Sequence, residues 1–222
     1  MTGTLGDIVT TLFGESAQTV DIVILLTILT LLPSILLMLT GFLRIIIVLS
    51  FVRNALGMQQ MPPNQVMIGL ALFLTLFVMM PVFDEVYEDA YVPLSNQEIN
   101  QDEFISRAMG PFREFMFSQV VETDANFFIA MSGEEYDTDE DIPNRVLIPA
   151  FLTSEIKRAF WIGFMVYIPF IVIDMIVAST LMSMGMMMLP PAMISLPFKV
   201  LLFVLVDGWQ LIIGSLIQSF WH

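Results

Sequence analysis

Four long apolar runs limit what this chain can fold into. They cover residues 21–50, 66–83, 160–189 and 198–221, and the second reads VMIGLALFLTLFVMMPVF. About 20 apolar residues are enough for a helix to cross the hydrocarbon core of a bilayer. The composition agrees, because 57% of the residues are hydrophobic and only 14% are charged, whereas soluble domains have about 25% charged residues. The runs therefore predict an all-α integral membrane protein.

A polar segment between the second and third runs holds most of the negative charge. Seventeen of the 22 acidic residues fall between Asp84 and Glu155, and the net charge of the chain is −14. Such acidity disfavours nucleic acid as a partner. The pattern divides the chain into an N-terminal segment (1–20), a first apolar helical pair (21–83) with a connecting loop (51–65), an acidic helical insert (84–155) and a second helical hairpin (156–222).

Local signals predict helices within the acidic insert. Ser95 and Glu98 match a capping box, in which each side chain satisfies a free backbone N–H. We expect Gly110–Pro111 to end one helix and to open another, and Thr153 or Ser154 to cap the third apolar helix. A stripe of apolar side chains follows helical spacing: Phe104, Ile105, Ala108, Phe112, Phe115, Met116 and Val120. Because this stripe is too small for a core of its own, we expect it to pack against neighbouring copies of the chain.

The few basic residues predict an orientation in the membrane. Arg53 is the only Lys or Arg in the 51–65 loop, so the positive-inside rule places this loop in the cytoplasm. The acidic insert then faces the periplasm of a bacterial inner membrane. Lys157 and Arg158, at the outer end of the third run, oppose the rule. The apolar runs therefore need not be simple crossings of lipid.

Four charged residues lie within or beside the apolar runs: Arg44, Asp174, Lys199 and Asp207. A charge at the bilayer centre costs about 2.5–3.5 kcal/mol on insertion scales, so each needs a partner or water. If the chain turns back near Met187, Asp174 and Lys199 lie 13 and 12 residues from the turn. Facing helices would then bring them to a similar depth, where an ion pair fixes the register of the hairpin. The alternatives are that Lys199 snorkels to the surface while Asp174 lines water, or that Asp174 belongs to a proton pathway.

The segment LMSMGMMMLPPAM (181–193) joins flexible methionines to two stiff prolines. One interpretation is a buried membrane turn in which methionine fills irregular gaps. A second is a gasket, in which several copies around an axis close a pore by an apolar, dewetted constriction. A third is a Cu(I) site, since thioethers are soft ligands, but the chain has no Cys and its only His is His222. Composition alone favours the filler over the gasket.

Longer motifs connect the chain with a known family. They are GFLRIIIVLSFVRNALG (41–57), PPNQVMIGLALFLT (62–75), REFM (113–116), IPAFLTSEIKRAFWIGF (148–164), LPFK (196–199) and FVLVDGWQLIIGSL (203–216). Through these motifs, residues 25–221 closely resemble FliP, the family of flagellar export-gate proteins of type III secretion. The chain departs from the family in the N-terminal segment and near 133–143.

The resemblance implies a gate subunit of the bacterial inner membrane and flagellar basal body, with no enzymatic activity, cofactor or metal. It implies five copies assembled with four FliQ and one FliR in a right-handed helix around a pore for unfolded flagellar subunits, with FlhA and FlhB nearby. Family subunits also lie largely above the membrane plane, which would explain the conflict at Lys157 and Arg158. The alternatives are the gate of a non-flagellar injectisome and a secondary transporter with broken helices.

The resemblance also implies roles for individual residues. Met186, Met187 and Met188 match the family's methionine gasket. They lie in a pore loop (182–193) that also holds Gly185, Pro190 and Pro191. Asp174 and Lys199 match the family's acid–lysine pair, as the spacing of the hairpin also predicts.

Overall fold

The computed structural model describes residues 26–221 except for 28, 32, 33, 36, 59, 135, 137, 139, 140 and 187. The predicted N-terminal segment, 1–20, lies outside the described residues. The chain divides into two compact units, residues 1–38 and 39–222. In the first unit the described residues are helical, and the Thr30 hydroxyl donates a hydrogen bond to the Thr27 carbonyl at 2.9 Å.

The described part of the second unit is helical and contains no strand, which confirms the all-α fold class. Its elements in chain order are α1 (Phe42–Ala55), α2 (Asn64–Val86), a π-helical segment (Tyr87–Tyr91), α3 (Val92–Ser95), α4 (Gln101–Gln119), α5 (Glu122–Ser132), α6 (Asn144–Ser183), α7 (Pro191–Leu205) and α8 (Gly208–Gln218).

Helix α6 dominates the architecture. It has 40 residues, which corresponds to a length of about 60 Å. It runs without a break through Pro149 and Pro169, and the boundary drawn between the acidic insert and the second hairpin falls inside it. The predicted cap at Thr153 or Ser154 is wrong, because α6 begins nine or ten residues earlier in the sequence, at Asn144 after Pro143. One rigid rod therefore links the polar part of the chain to the Met-rich turn.

The helix boundaries predicted within the acidic insert are also wrong. Helix α4 begins after Asn100, whose side chain accepts the Glu103 N–H at 2.9 Å, and Asn is among the best residues for this capping position. Ser95 instead closes α3, where its hydroxyl donates to a carbonyl of the same turn. Helix α4 also continues through Gly110–Pro111. Burial of the apolar face along one continuous helix outweighs the hydrogen bond that proline removes.

The core lies where α1, α2, α4 and α6 meet. It includes Ile45, Val48 and Leu49 of α1, which are fully buried. Phe112 and Phe115 of α4 enter the same core, with ring centroids 6.1 Å from Phe83 and 6.0 Å from Phe151. The prediction that the α4 stripe packs against other copies is therefore wrong for its central members, since α2 and α6 supply the apolar surface that the insert lacks.

Helices α1 and α6 approach closely at one glycine. A Cβ atom added to Gly163 would lie 2.5 Å from the Phe51 ring, far inside ordinary van der Waals contact. The Phe51 ring also packs edge-on against Phe160, with centroids 5.3 Å apart. Any side chain at 163 would push the two helices apart, so glycine sets their spacing.

Among the described residues, two helical stretches are long and apolar enough to cross a membrane. They are Asn64–Ser95 and Asn144–Ser183, and the pair α7 and α8, bent by 65°, forms a third candidate if it is one span. The first apolar run, 21–50, is not among them, and part of it lies outside the described residues. The second and third predicted runs thus lie in the long helices α2 and α6, and the fourth corresponds to the bent pair α7 and α8. In the second unit, the first run forms α1.

Candidate functional site

The Met-rich segment forms a tight turn between α6 and α7. Gly185 adopts φ +75°, the left-handed conformation that commonly ends a helix and that glycine adopts without strain. The Met186 N–H donates to the Leu181 carbonyl at 3.0 Å, and the Gly185 N–H donates to the Met182 carbonyl at 3.1 Å. These two bonds make a Schellman motif. Pro191 then occupies the first turn of α7, where proline needs no N–H partner.

The described methionines of this turn point away from the chain's own core. Met188 is 98% exposed, and Met182, Met184, Met186 and Met193 are exposed as well. Gly185 and Pro190 fix the path of the backbone in the turn. Met187 lies outside the described residues. The turn therefore presents an apolar, deformable tip that this single chain does not cover.

The structure brings Asp174 and Lys199 together, at the base of the same hairpin. Lys199 Nζ lies 2.6 Å from Asp174 Oδ2 and donates a second bond, at 3.1 Å, to the Ala55 carbonyl. The Ser195 hydroxyl donates to the other Asp174 oxygen at 2.5 Å. The Lys199 side chain is 6% exposed and that of Asp174 is 38% exposed. This cluster joins α6, α7 and the C-terminal end of α1, where a cation is favoured by the helix dipole.

Asp207 separates α7 from α8. Its φ of +51° is left-handed, a conformation that Asp tolerates better than most residues. The next residue, Gly208, packs tightly at this bend, because an added Cβ atom would lie 2.4 Å from the Phe203 ring. The Asp207 side chain is exposed beside Gln210 in a shallow groove. Asp207 therefore marks a bend, and it has no ion-pair partner among the described residues.

Arg44 lies at the centre of the most extensive polar network in the described chain. Its Nε donates to Glu155 Oε2 at 2.9 Å, and its Nη2 contacts Glu155 Oε1 and donates to Gln119 at 2.8 Å. Its Nη1 donates to the carbonyl and hydroxyl of Ser219, at 2.9 and 3.0 Å. The guanidinium also stacks 3.8 Å from the Phe220 ring centroid. Arg44 and Glu155 are completely buried, so the network ties α1, α4, α6 and the residues after α8 together.

Arg44 is conspicuous in the sequence as a charge within an apolar run, but its partners, Glu155 and Gln119, are not. A signal for Glu155 was present. Phe151, Glu155 and Ala159 are spaced four residues apart and are all fully buried on one face of α6. Glu155 thus lies at helical spacing between two core residues, and another apolar run holds the opposite charge of Arg44. This combination indicates a buried ion pair. No comparable periodic signal identifies Gln119, which lies at the end of α4.

A second polar contact joins α5 to α6 outside the long apolar stretch. Asp124 accepts a hydrogen bond from the Ser154 hydroxyl at 2.8 Å and forms an ion pair with Lys157. Ser154 also accepts the Val121 N–H at the start of α5, at 3.0 Å. Burial by itself raises the pKa of Asp124, but the hydrogen bonds from Lys157 and Ser154 and the charge of Lys157 outweigh it, so the pKa of Asp124 is lowered.

The polar contacts described above hold helices together, and the Met-rich turn forms an exposed surface. Among the described residues, no group of three His, Asp or Glu side chains is placed to hold a metal ion. The hairpin arms enclose an apolar groove of about 420 Å³ next to the turn, lined by side chains that include Ile176, Leu181 and Phe198. The distinguishing chemistry of the molecule is therefore an apolar tip on a hairpin that an ion pair anchors.

Comparison with known proteins identifies the family. The chain is 58% identical over 210 residues to the flagellar biosynthetic protein FliP of Pectobacterium carotovorum, covering 94% of this chain and 81% of that protein. It is 54% identical to the protein of the same name from Bacillus subtilis, with coverages of 92% and 93%. The flagellar biosynthetic protein FliP of Buchnera aphidicola subsp. Baizongia pistaciae is 50% identical to this chain, with coverages of 91% of this chain and 57% of that protein. The family model for FliP matches residues 25–216. The chain therefore belongs to the FliP family.

Proposed function

We propose that this chain is a subunit of the flagellar protein export gate and that its Met-rich turn seals the closed pore. Its relatives are named flagellar biosynthetic proteins, which favours a flagellar gate over that of an injectisome. The observation that carries the proposal is the turn itself. It presents exposed methionines on a backbone fixed by a Schellman motif and two prolines.

The physical requirements of a gate explain this combination. A closed pore must be dry, because an apolar constriction blocks water and ions by dewetting. An open pore must let an unfolded polypeptide slide past without strong polar contacts. Methionine is unbranched and changes rotamer at low cost, so Met186, Met187 and Met188 can yield while Gly185, Pro190 and Pro191 keep the path of the loop.

Assembly of several copies is supported by the amount of apolar surface left open. Phe73, Leu205 and Met188 are 74%, 73% and 98% exposed, and large exposed apolar surfaces mark contacts with other proteins or with a membrane. Five copies with four FliQ and one FliR would cover such faces and bring the turns to one axis, with FlhA and FlhB nearby. Membrane lipid would cover what remains, and the acidic insert would face the periplasm.

The Asp174–Lys199 cluster has a structural role in this proposal. It lies at the base of the hairpin whose tip carries the methionines, and it ties both arms to α1. Fixing the register of the arms fixes the height of the tip. A proton pathway needs a relay of several titratable groups, and the contacts of Asp174 are instead a lysine and a serine.

Shortening the gasket side chains tests the proposal. Replacing Met186, Met187 and Met188 together with Ala is expected to leave the purified gate assembled and to make the inner membrane leak ions or small solutes. Some export should persist, because the passage is widened. Phe at the same three positions should give the opposite result, a tight membrane with poor export. The measurements are solute leak and secretion of flagellar subunits in cells that carry each variant.

A matched control removes three exposed methionines away from the turn. Met61, Met131 and Met165 are all exposed and lie before α2, in α5 and in the middle of α6, away from the turn, so their triple Ala variant should not leak. If the gasket variant assembles fully and leaks no more than the parent, the proposal that the turn seals the pore is wrong. The methionines would then only fill gaps in a buried membrane turn. The mass of the purified complex tests the proposed composition separately.

A further inference from the structure

A groove between α1 and α6, the basic groove, carries an unbalanced positive charge. It encloses about 480 Å³ and is lined by Arg44, Lys157, Arg158, Trp161, Ile162 and Ser219. Arg44 and Lys157 are each paired with a carboxylate. Arg158 is half-buried and donates to the neutral amide of Gln119 at 3.0 Å. No carboxylate in the described part of the chain forms an ion pair with Arg158, so one charge of the groove is left without a counter-ion there.

A second depression, the acidic pocket between α2 and α4, carries the opposite charge. It encloses about 360 Å³, and the side chains that line it include the carboxylates of Glu85 and Glu114 beside Pro81, Pro111 and Trp221. Both carboxylates are exposed. Neither is ion-paired with any basic residue that the structure describes. The pocket therefore combines two free negative charges with an apolar lining.

The basic groove and the acidic pocket lie on opposite edges of the four-helix core. Helix α1 contacts α2 and α6, and α4 contacts the same two helices, so the α1–α6 edge faces away from the α2–α4 edge. Both depressions border the Arg44 network, because Arg158 donates to Gln119 and Gln119 also lines the acidic pocket. They therefore lie at the same level of the core, where a rotation about one axis presents one to the other.

We propose that the basic groove of one copy of this chain receives the acidic pocket of the next copy. The inference rests on the proposed function for the presence of several copies, and it adds the residues that join them. Complementary surfaces on different faces of one subunit make a heterologous contact, which repeats from copy to copy around an axis. The Arg158 guanidinium has N–H donors left after its bond to Gln119, and these donors bind Glu85 and Glu114 of the neighbour.

The charge of the chain explains why a second copy fits this groove. Each copy has a net charge of −14, so copies repel one another wherever two acidic surfaces meet. Placing a pocket of carboxylates against one of the few basic surfaces removes that repulsion locally and fixes the register of the contact. The groove also holds an exposed Trp161 beside Arg158. Trp and Arg are enriched among the residues that dominate interface energies, and the apolar lining of the pocket suits the indole ring.

Charge reversal tests the contact on the full-length chain. Arg158→Glu should lower the yield of assembled gate, measured by native mass spectrometry in detergent, about tenfold, near the lower end of couplings measured between close interfacial charges. Adding Glu85→Lys and Glu114→Lys should restore most of the yield, because the reversed charges attract again. Arg107→Glu is the matched control. It changes the net charge equally, but Arg107 lies in an exposed pair with Glu103, so the yield should be unchanged.

Cross-linking keeps the test decisive even if Arg158→Glu does not fold. The chain has no cysteine, so Trp161→Cys in the basic groove and Ser118→Cys in the acidic pocket introduce its only thiols and keep every charge. A bis-maleimide should link the double variant into a ladder of multiples of one chain. Either single variant should run as a monomer on the same denaturing gel.

The outcomes separate this inference from the proposed function. An assembled gate that gives no ladder, or Arg158→Glu that assembles with the yield of the parent, would overturn the inference and leave the proposed function standing. A folded Arg158→Glu variant whose yield the two glutamate changes fail to restore would overturn it as well. A parent chain that forms no oligomer would overturn both.

Discussion

The two halves of α6 show how one helix serves two environments. Residues 144–163 contribute eight buried positions, whereas residues 164–183 contribute only Phe170 and Leu181. Each half carries one acid that pairs with a cation on another helix. Glu155 is completely buried with Arg44, while Asp174 is 38% exposed beside Lys199. The first half is buried by other helices of the same chain. The second half leaves apolar side chains exposed, and only other molecules could cover them.

The first half of α6 stabilises the fold, whereas the second half is available for assembly. In the first half every nitrogen of the Arg44 guanidinium has a hydrogen-bond partner, and the Phe220 ring stacks over it. In the second half the polar cluster is small and apolar side chains face outward.

The largest effect is expected for Glu155→Gln. This change leaves the Arg44 charge buried without its counter-ion, and removing one partner of a buried pair costs about 3–5 kcal/mol. Thermal unfolding of the purified protein in detergent should show the loss. The double variant Arg44→Met with Glu155→Met should recover much of it, since no unpaired charge remains. A loss below about 1 kcal/mol for Glu155→Gln would mean that the pair does not hold the first half.

Gly163→Ala should have the next largest effect. The new methyl group would lie 2.5 Å from the Phe51 ring, and overpacking of a core contact costs about 1–3 kcal/mol. Gly69→Ala on α2 is the control, because nothing lies within 4 Å of its added Cβ atom. In a helix interior that control should be neutral or stabilising by about 0.5–1 kcal/mol. Equal unfolding temperatures for the two variants would contradict the close approach of α1 and α6.

Smaller, unequal effects are expected at the second ion pair. Asp174→Ala leaves the nearly buried Lys199 with only the Ala55 carbonyl, and should cost about 1–3 kcal/mol, between the ranges for exposed and buried pairs. Lys199→Ala leaves a carboxylate that water reaches and should cost less. Unfolding in detergent measures both, and the reverse order would show that Asp174 is the less solvated partner.

Exchanging the two charges sharpens this test. Asp174→Lys with Lys199→Asp restores the pair but turns a carboxylate toward the Ala55 carbonyl, which is itself an acceptor. We therefore expect partial recovery of stability and of motility relative to the single variants. Two damaging single changes with no recovery in the exchange would count against a direct interaction between these residues.

The smallest effect is expected at Asp124, and it depends on pH. Because the folded-state pKa of Asp124 is lowered, its stabilisation is present above the ordinary aspartate pKa of about 3.9 and is lost as pH falls through the lower folded-state value. Lys157 is largely exposed, so the contribution is about 1 kcal/mol or less. The unfolding difference between the parent and Asp124→Asn should be constant from pH 7 to about pH 5 and should shrink below about pH 4. A difference that grows on acidification would have the wrong sign.

Much of the helical content followed from the sequence because apolar runs and helical spacing are local signals. The hairpin at the Met-Pro segment and the meeting of Asp174 with Lys199 follow from equal spacing to a turn. The ends of the helices did not. The starts of α4, capped by Asn100, and of α6, at Asn144 after Pro143, were not predicted. Capping motifs are short and common, and packing decides which of them is used.

The sequence by itself determined that the chain is helical and apolar, that its polar residues concentrate in one insert, and that it belongs to the FliP family. Only the tertiary structure decided which charges meet and which apolar faces stay open. Arg44 and Glu155 are separated by 111 residues, and no local period relates them. Their contact depends on how α1 crosses α6, which Gly163 permits. Likewise, Phe115 is buried against Phe151 because α6 begins as early as Asn144. Local pattern specifies elements, whereas partners are chosen by the packing of distant elements, and that choice is a property of the whole fold.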